Sequence, residues 1–308
     1  MSVCAVTPTY NCKGPLCQLL EVLSRQTRPV DEILVVDNAS TDGTEEMIKE
    51  KFSEKVNYVR LAENVGGSGG FNVGMRLGCE HGHDWIWCID SDALPSEQTL
   101  EDLLRAESMS GSVVAKTSLF RDPVSYQQAS LEGYLWYFRS RKEKAHLADN
   151  LSRRGVASAD FGTLCCLLVR ADALKKVGFV NPDFFIYGDE ALLSIRLKRL
   201  GEILVVRTTV LHHFGQGGRS SRHGRSRVLR EDYWRIYYHF RNYIVVEREA
   251  FGFSRAFTRS VWRYGRSLLG ILLFDDSRGY RVGILSKALC DGVRNRLGKR
   301  ILPDLPSA

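Results

Sequence analysis

A chain of 308 residues, 44% apolar and 26% charged, has the composition of an ordinary globular protein, which excludes long disorder and allows one large domain or two smaller ones. No apolar run approaches the ~18–20 residues a membrane-spanning helix needs. The formal charge of +7 is uneven: from Arg207 onward 20 Lys/Arg stand against 8 Asp/Glu, a balance of +12 that leaves −5 for the first 206 residues and points the tail at an anionic partner.

The N-terminus, Met1-Ser2-Val3-Cys4-Ala5-Val6, runs straight into a strand pattern with no basic stretch, unlike a secretory signal. Val3–Thr9 reads as a strand, Leu16–Gln26 as a helix, Glu32–Asp37 as a second strand and Thr41–Phe52 as a second helix opening on an Asp/Gly/Thr cap cluster. Val56–Leu61 is a third strand. A loop with Gly66, Gly67, Gly69 and Gly70 then leads into a helix through Met75. Trp85–Ile89 is a fourth strand, Glu97–Ser108 a helix, and Ser112–Leu119 and Thr163–Val169 further strands. Asp189–Leu200 has helical spacing, and Ile203–His212 is the last clear strand. This alternation predicts an α/β sheet. Gly215–Arg230, rich in Gly, Ser, Arg and His, reads as a mobile loop, followed by basic and aromatic helices over Tyr233–Glu249, Phe257–Phe274 and Tyr280–Leu302. Eight cysteines (4, 12, 17, 79, 88, 165, 166 and 290) form no Cys-x-x-Cys and no zinc or disulfide spacing, so they read as reduced thiols of a cytoplasmic protein.

In open α/β sheets ligands lie beyond the carboxyl ends of the strands, where Asp37, the Asp90/Asp92 pair and the His212/His213 pair all fall. Two carboxylates one residue apart in Asp90-Ser91-Asp92 can offer oxygens to a hard divalent cation that holds a diphosphate; the plain reading is a solvated turn. Asp37 can accept a hydrogen bond from a nucleobase imide while Asp42 or Thr41 caps the next helix. The glycine stretch matches neither a Walker A loop nor a dinucleotide fingerprint, yet it would let backbone approach a sugar or phosphate; the alternative is a flexible turn. Asp189-Glu190 opens a helix, where acids suit the helix dipole but can also act as a general base. One of the two histidines can complete a cation's shell, although a histidine there is often structural.

Taken in order, Thr7-Pro8-Thr9-Tyr10-Asn11, Val35-Val36-Asp37-Asn38 with Ser40 and Asp42-Gly43-Thr44, Asn64-Val65-Gly66-Gly67, Asp90-Ser91-Asp92, Phe185-Ile186-Tyr187-Gly188-Asp189-Glu190, His212, and Tyr237-Tyr238-His239-Phe240-Arg241-Asn242 resemble the inverting family 2 glycosyltransferases of GT-A fold, which include bacterial galactofuranosyl- and rhamnosyltransferases. The resemblance covers roughly residues 3 to 245. It implies a Rossmann-like mixed sheet flanked by helices with a basic C-terminal helical extension. It also implies a donor site of Thr7, Pro8, Thr9, Asp37, Asn64, Gly66, Gly67, Asp90 and Ser91, with Mn2+ or Mg2+ held by Asp90, Asp92 and His212, or by His213 as the alternative. Of Asp189-Glu190, the second acid is the family's usual base, which favours Glu190; many members carry Glu-Asp here, so the order leaves Asp189 open. Asn64-Val65-Gly66-Gly67-Ser68-Gly69-Gly70-Phe71, with Trp85-Ile86-Trp87, is similar to the galactofuranosyltransferases and favours UDP-galactofuranose over dTDP-rhamnose, although Ser91 interrupts an acidic triplet commonly all Asp there.

The expected organisation is a catalytic domain over 1–215 and a basic region over 216–308 serving a glycan or polyprenyl-diphosphate-linked acceptor, an anionic membrane surface, or both. In Phe257–Phe274, Arg259, Arg263 and Arg266 lie near one helical face beside Val261, Trp262, Leu268, Leu269, Leu272 and Leu273; the helix either packs on the protein or lies in a membrane interface. That pattern gives a cytoplasmic protein, peripheral on the inner face of the plasma membrane. A nucleic-acid-binding protein would explain the basic tail but leaves Asp90, Asp92, Asp189 and Glu190 without a role, so no nucleic acid is expected. A non-catalytic sugar-nucleotide-binding module has no use for the intact base candidate.

Overall fold

The computed structural model describes residues 1–107, 111–122, 134, 141–212, 219–222, 225–228 and 232–302. Its elements in chain order are β1 (Val3–Thr9), α1 (Lys13–Leu23), β2 (Glu32–Asp37), α2 (Thr44–Lys51), β3 (Val56–Arg60), α3 (Gly66–Glu80), β4 (Trp85–Ile89), β5 (Ala93–Pro95) and α4 (Thr99–Arg105). There follow β6 (Val113–Arg121), α5 (Arg141–Arg154), β7 (Val156–Ala159), β8 (Cys166–Arg170), α6 (Ala171–Val177), α7 (Asp189–Leu197) and β9 (Glu202–His212). Last come β10 (Arg219–Arg222), β11 (Arg225–Val228), α8 (Tyr233–Phe251), α9 (Phe253–Phe274) and α10 (Arg278–Val293). The chain forms two compact units, one of Met1–Val180 with Leu193–Phe214, the other of Asn181–Leu192 with Gly215–Ala308.

In the first unit, strands β1 to β9 form one mixed sheet with the order β3-β2-β1-β4-β8-β6-β9-β5, and β7 also pairs with β9. β1 is buried along its whole length and β4 likewise, which is why both read as near-continuous apolar runs. β1 runs parallel to β2 and β4, while β8 returns antiparallel to β4. The first β-α units therefore turn out at one edge of the sheet, with Thr9, Asp37 and Asp90 at their carboxyl ends.

The glycine-rich stretch departs from expectation. It is no loop before a helix but the opening turns of α3 itself. Gly70, Gly74 and Gly78 recur every four residues on one helix face, and that face lies directly on the sheet. A Cβ at Gly70 would fall 2.5 Å from Pro8 Cβ, at Gly74 2.2 Å from Val6 Cγ1, and at Gly78 2.8 Å from Ile86 Cδ1. Close approach of helix to strand, rather than flexibility, demands these glycines. The second helix also starts later than expected, at Thr44 behind a left-handed Gly43, because Asp42 turns instead to the Lys13 N–H and the Thr44 hydroxyl.

At the opposite edge, Glu32 of β2 accepts from Asn57 Nδ2 at 3.0 Å and lies 3.0 Å from His81 Nδ1 and 2.7 Å from His83 Nε2. Burial opposes its charge, but these hydrogen bonds outweigh burial and hold its carboxyl below the usual range. Cys4 Sγ completes a cluster with Glu32 and His83 there; the Glu32 carboxylate is already saturated by its side-chain partners.

The second unit has an aromatic core of Tyr233, Trp234, Tyr237, Tyr238 and Phe240 on α8, joined by Phe185, Ile271 and Leu285. Around it, Tyr237 donates to Asp291 at 2.7 Å, and Arg281 to Asp276 and to the Val228 carbonyl. The expected loop over 215–230 contains β10 and β11, an antiparallel pair in which Arg219 faces Val228 and Arg222 faces Arg225. Alternation of small and basic residues there hid a hairpin from the sequence pattern.

Candidate active site

Asp90 follows β4 directly and Asp92 precedes β5, with the Ala93 N–H returning to the Asp90 carbonyl at 3.0 Å. Because β5 pairs with the end of β9 and sets Ala93 opposite His212, the imidazole is carried to the same turn. His212 Nε2 lies 3.2 Å from Asp92 Oδ1 and 3.6 Å from Asp90 Oδ2. His212 thus stands within reach of both carboxylates, and the ligand atoms that lie within 4.8 Å of one another are those of Asp90, Cys165 and His212. Asp92 stays 42% exposed and Asp90 34%, so a ligand can reach them.

The electrostatics follow from that crowding. Burial works against a charged His212, but Asp92 and Asp90 outweigh burial and lift its pKa above the ordinary imidazole value. Burial raises the Asp90 carboxyl, against the pull of His212 and of the Cys165 thiol, which donates to Asp90 Oδ2 at 2.9 Å. Cys165 lies in the stretch that reads as a plain strand over Thr163–Val169, and pairing of Ile89 with Cys166 across β4 and β8 brings it to Asp90. Burial, with nearby Asp92, Asp42 and Asp90, raises the Cys12 thiol against the opposing pull of Ser91. His213 lies outside the described residues.

Asp37, at the end of β2, is fully buried, and its carboxylate is wholly engaged. Ser40 donates through N–H at 2.9 Å and hydroxyl at 2.5 Å to one oxygen, and Tyr58 at 2.5 Å and Arg60 at 2.9 Å to the other. Thr9 pairs with Asp37 in register. The Thr7 and Thr9 hydroxyls, with that of Ser68 in the first turn of α3, are buried without a hydrogen-bond partner among the described residues. Buried hydroxyls are normally paired, so three such groups suit a polar ligand. Asn64 accepts from the Gly66 N–H at 2.8 Å, Asn38 from the Val65 N–H at 3.2 Å, and Gly66 is left-handed. Gly67 is exposed with open space beside it. Pro8 is covered by Gly70.

Asp189 and Glu190 belong to the second unit and open α7 behind a strained loop. Phe185, Tyr187 and Gly188 all have positive φ (66°, 68° and 82°), a conformation bulky residues adopt only when surroundings impose it. Two side chains of α8 impose it. Asn242 Nδ2 donates to the carbonyls of Phe184 (3.0 Å), Ile186 (2.9 Å) and Tyr187 (2.8 Å). Arg241 donates to those of Asp183 and Phe184 at 3.1 Å and of Gly298 at 2.7 Å, while its Nε fixes Asn242 Oδ1 at 2.7 Å. Both are fully buried. Sequence reasoning found the motif containing this pair but gave it no task. Asp189 is 6% exposed and Glu190 half-buried, so the latter is the more reachable acid. Burial first, then the Glu190 and Asp189 charges, push the Tyr243 phenol up to about 12.

A divalent cation suits the first cluster on chemical grounds. Two carboxylates and an imidazole are ligands for Mn2+ or Mg2+, whereas the thiol of Cys165 is soft for either and serves as a hydrogen-bond donor to Asp90.

The sequence model of the family described as Glycosyl transferase family 2 matches residues 4–178. The galactofuranosyltransferase GlfT1 of Mycobacterium tuberculosis is 32% identical over 207 residues, and that of Mycolicibacterium smegmatis 29% over 208. Each alignment covers 65% of this chain and 66% of the relative's length. Among solved structures, the mannosyltransferase PcManGT of Pyrobaculum calidifontis, in complex with GDP-Man and Mn2+, superposes with a TM-score of 0.55 at 15% identity, covering 96% of this chain and 87% of that one. The GT-A fold expected from the sequence is therefore the observed one.

Proposed function

The chain belongs to glycosyl transferase family 2, and from that premise we propose that it is a metal-dependent inverting transferase that moves galactofuranose from UDP-galactofuranose onto a glycan or polyprenyl-diphosphate-linked acceptor in cell-surface polysaccharide synthesis. The observation that carries this reading is the convergence of Asp90, Asp92 and His212 at the strand ends. Mn2+ or Mg2+ held there would neutralise the diphosphate as it leaves. Thr7 and Thr9 offer buried hydroxyls to the donor, with Pro8 between them, and Asp37 reads the pyrimidine, exchanging part of its Tyr58 and Arg60 hydrogen bonding for the base imide. Asn64, Gly66, Gly67 and Ser91 line the sugar and phosphates. Glu190 takes the proton of the acceptor hydroxyl as its oxygen bonds to the anomeric carbon and the diphosphate departs, which inverts that carbon; Asp189 is the alternative base.

The curated galactofuranosyltransferases support the donor, as does the glycine-rich segment ending in Phe71. dTDP-rhamnose is the second reading, since the glycines also serve helix packing and so weigh less on the sugar. A lipid-linked acceptor would set the protein on the cytoplasmic side, peripheral on the inner face of the plasma membrane. Thermal shifts with UDP, dTDP and GDP, each with and without Mn2+, test base and metal together, because a bound nucleotide stabilises the fold by mass action. UDP with Mn2+ should give the largest shift, and radiolabel should pass to acceptor from UDP-galactofuranose. Incorporation from dTDP-rhamnose alone would transfer the assignment to the second reading.

A further inference from the structure

Helix α9 leaves much of its apolar surface outside. It buries Ala256, Ser260 and Ile271, with Tyr264, Ser267, Leu268 and Phe274 half-buried. Five large apolar side chains between Val261 and Leu273 are nonetheless open: Trp262 is 66% exposed, Leu269 and Leu273 58%, Leu272 47%, Val261 45%. A helix on a globular surface turns its apolar stripe inward and its charges outward, so this face needs a partner, and contiguous exposed apolar surface marks such sites.

The charges beside the stripe identify the partner. Arg255, Arg259 and Arg266 follow one flank at helical spacing. Arg259 and Arg263 pair with Glu247, whereas Arg255 and Arg266 meet no carboxylate among the described residues, and Arg266 lies 5.7 Å from the Trp262 ring. Apolar groups flanked by unneutralised guanidinium groups, in a region carrying +12, match acyl chains beneath phosphate headgroups. A cavity of about 620 Å³ lined by Trp262, Arg266, Leu269 and Leu273, with Tyr233 and Arg281 behind, gives the same pairing of apolar and cationic walls. None of the described helices is long and apolar enough to cross a membrane, and four arginines within α9 agree with a helix that lies in the plane of the interface.

We propose that the outward face of α9 docks on an anionic phospholipid bilayer, with Trp262, Leu269, Leu272 and Leu273 inserted among acyl chains and Arg255 and Arg266 at the headgroups. This gives the membrane location in the functional reading above a specific surface, and rests on that reading only for its purpose. The test is flotation with vesicles of phosphatidylcholine, alone or mixed with phosphatidylglycerol, at low and high salt. The wild-type chain should float with the mixed vesicles at low salt and lose most of that binding at high salt. Leu269→Glu with Leu272→Glu, both exposed positions, should cut vesicle partitioning at least about tenfold while circular dichroism stays unchanged. Arg255→Gln with Arg266→Gln should remove the preference for anionic lipid. Sugar transfer to a short water-soluble glycan, measured on the wild-type chain, separates the two ideas: transfer without flotation overturns the docking face and leaves the enzyme reading intact, and flotation without transfer does the reverse. Equal flotation of the Leu269→Glu/Leu272→Glu variant would also overturn the proposal. So would a wild-type dimer that this variant turns into a monomer, because a second copy would then cover the stripe.

Discussion

Asp90 and Asp92 flank a turn between two strands of the sheet, whereas Asp189 and Glu190 open a helix behind a loop that two buried side chains of α8 hold in shape. The first pair is positioned by backbone pairing of β4 with β1 and β8, and of β5 with β9. Many equivalent hydrogen bonds share that work, and no single side chain decides it. The second pair depends on Arg241 and Asn242, which together satisfy the carbonyls of a loop with two aromatic residues at positive φ. A group that only has to collect a ligand can sit on a rigid edge. An acid at the end of a strained loop is placed by a few contacts, and losing one of them moves it.

The largest expected effect separates the roles of the two acid pairs. Glu190→Gln keeps shape and removes basicity, so transfer should fall by ~10²–10⁴-fold while the thermal shift with UDP and Mn2+ is retained. Asp92→Ala should do the opposite, losing the metal-dependent shift in a folded chain. A dead Asp189→Asn beside an active Glu190→Gln would exchange the roles of the two neighbours.

Next is the loop itself. Asn242→Ala leaves the carbonyls of Phe184, Ile186 and Tyr187 without their shared donor, and a buried unsatisfied group costs about 1–3 kcal/mol. Denaturant unfolding should register that loss, and transfer should drop in the remaining folded enzyme with the UDP/Mn2+ shift unchanged. If transfer per folded molecule is unaltered, Asn242 is a stability residue and does not position the acids.

The sheet was legible because strands buried on both faces carry apolar runs that nothing else explains, and the sheet-edge acids and His212 were legible because they follow those runs directly. Other features depend on packing that a linear pattern does not reveal. The glycine spacing of four was visible in the sequence, but its meaning requires knowing that Val6, Pro8 and Ile86 lie beneath the helix. Cys165 is brought to Asp90 by the antiparallel return of β8, a pairing across some 75 residues. Helix α5 gives no clear apolar period because half of its residues are charged and only Leu147 and Leu151 of its described side chains are buried. The glycine helix also yields a test. Gly74→Ala forces a Cβ to 2.2 Å from Val6 Cγ1, and overpacking of this kind costs about 1–3 kcal/mol. Gly67→Ala, with open space, should leave stability unchanged or gain up to about 1 kcal/mol of helix propensity. A loss of donor binding without a loss of stability in Gly67→Ala would separate the ligand role of these glycines from their packing role.

The smallest effect lies at the sheet edge away from the acids, where Glu32 joins β2 to β3 through Asn57 and to the segment after α3 through His81 and His83. Its pKa is held down in the folded chain, so the sign is that of a depressed carboxylate: the stabilisation is fully present above the unfolded glutamate value and is lost as pH falls through the folded one. Protonation also turns one oxygen into a hydroxyl donor and a weaker acceptor. Glu32→Gln removes the charge and keeps the shape, so it should lower stability at neutral pH by about 0.5–1.5 kcal/mol, the net worth of an ordinary hydrogen bond. It should also flatten the acid limb of stability against pH. Chemical denaturation repeated from neutral to acidic pH reads both quantities. Parallel acid limbs in wild type and Glu32→Gln would mean that other carboxylates govern acid unfolding. The contrast with the active edge would then be one of function alone, with no share in how the sheet is held at low pH.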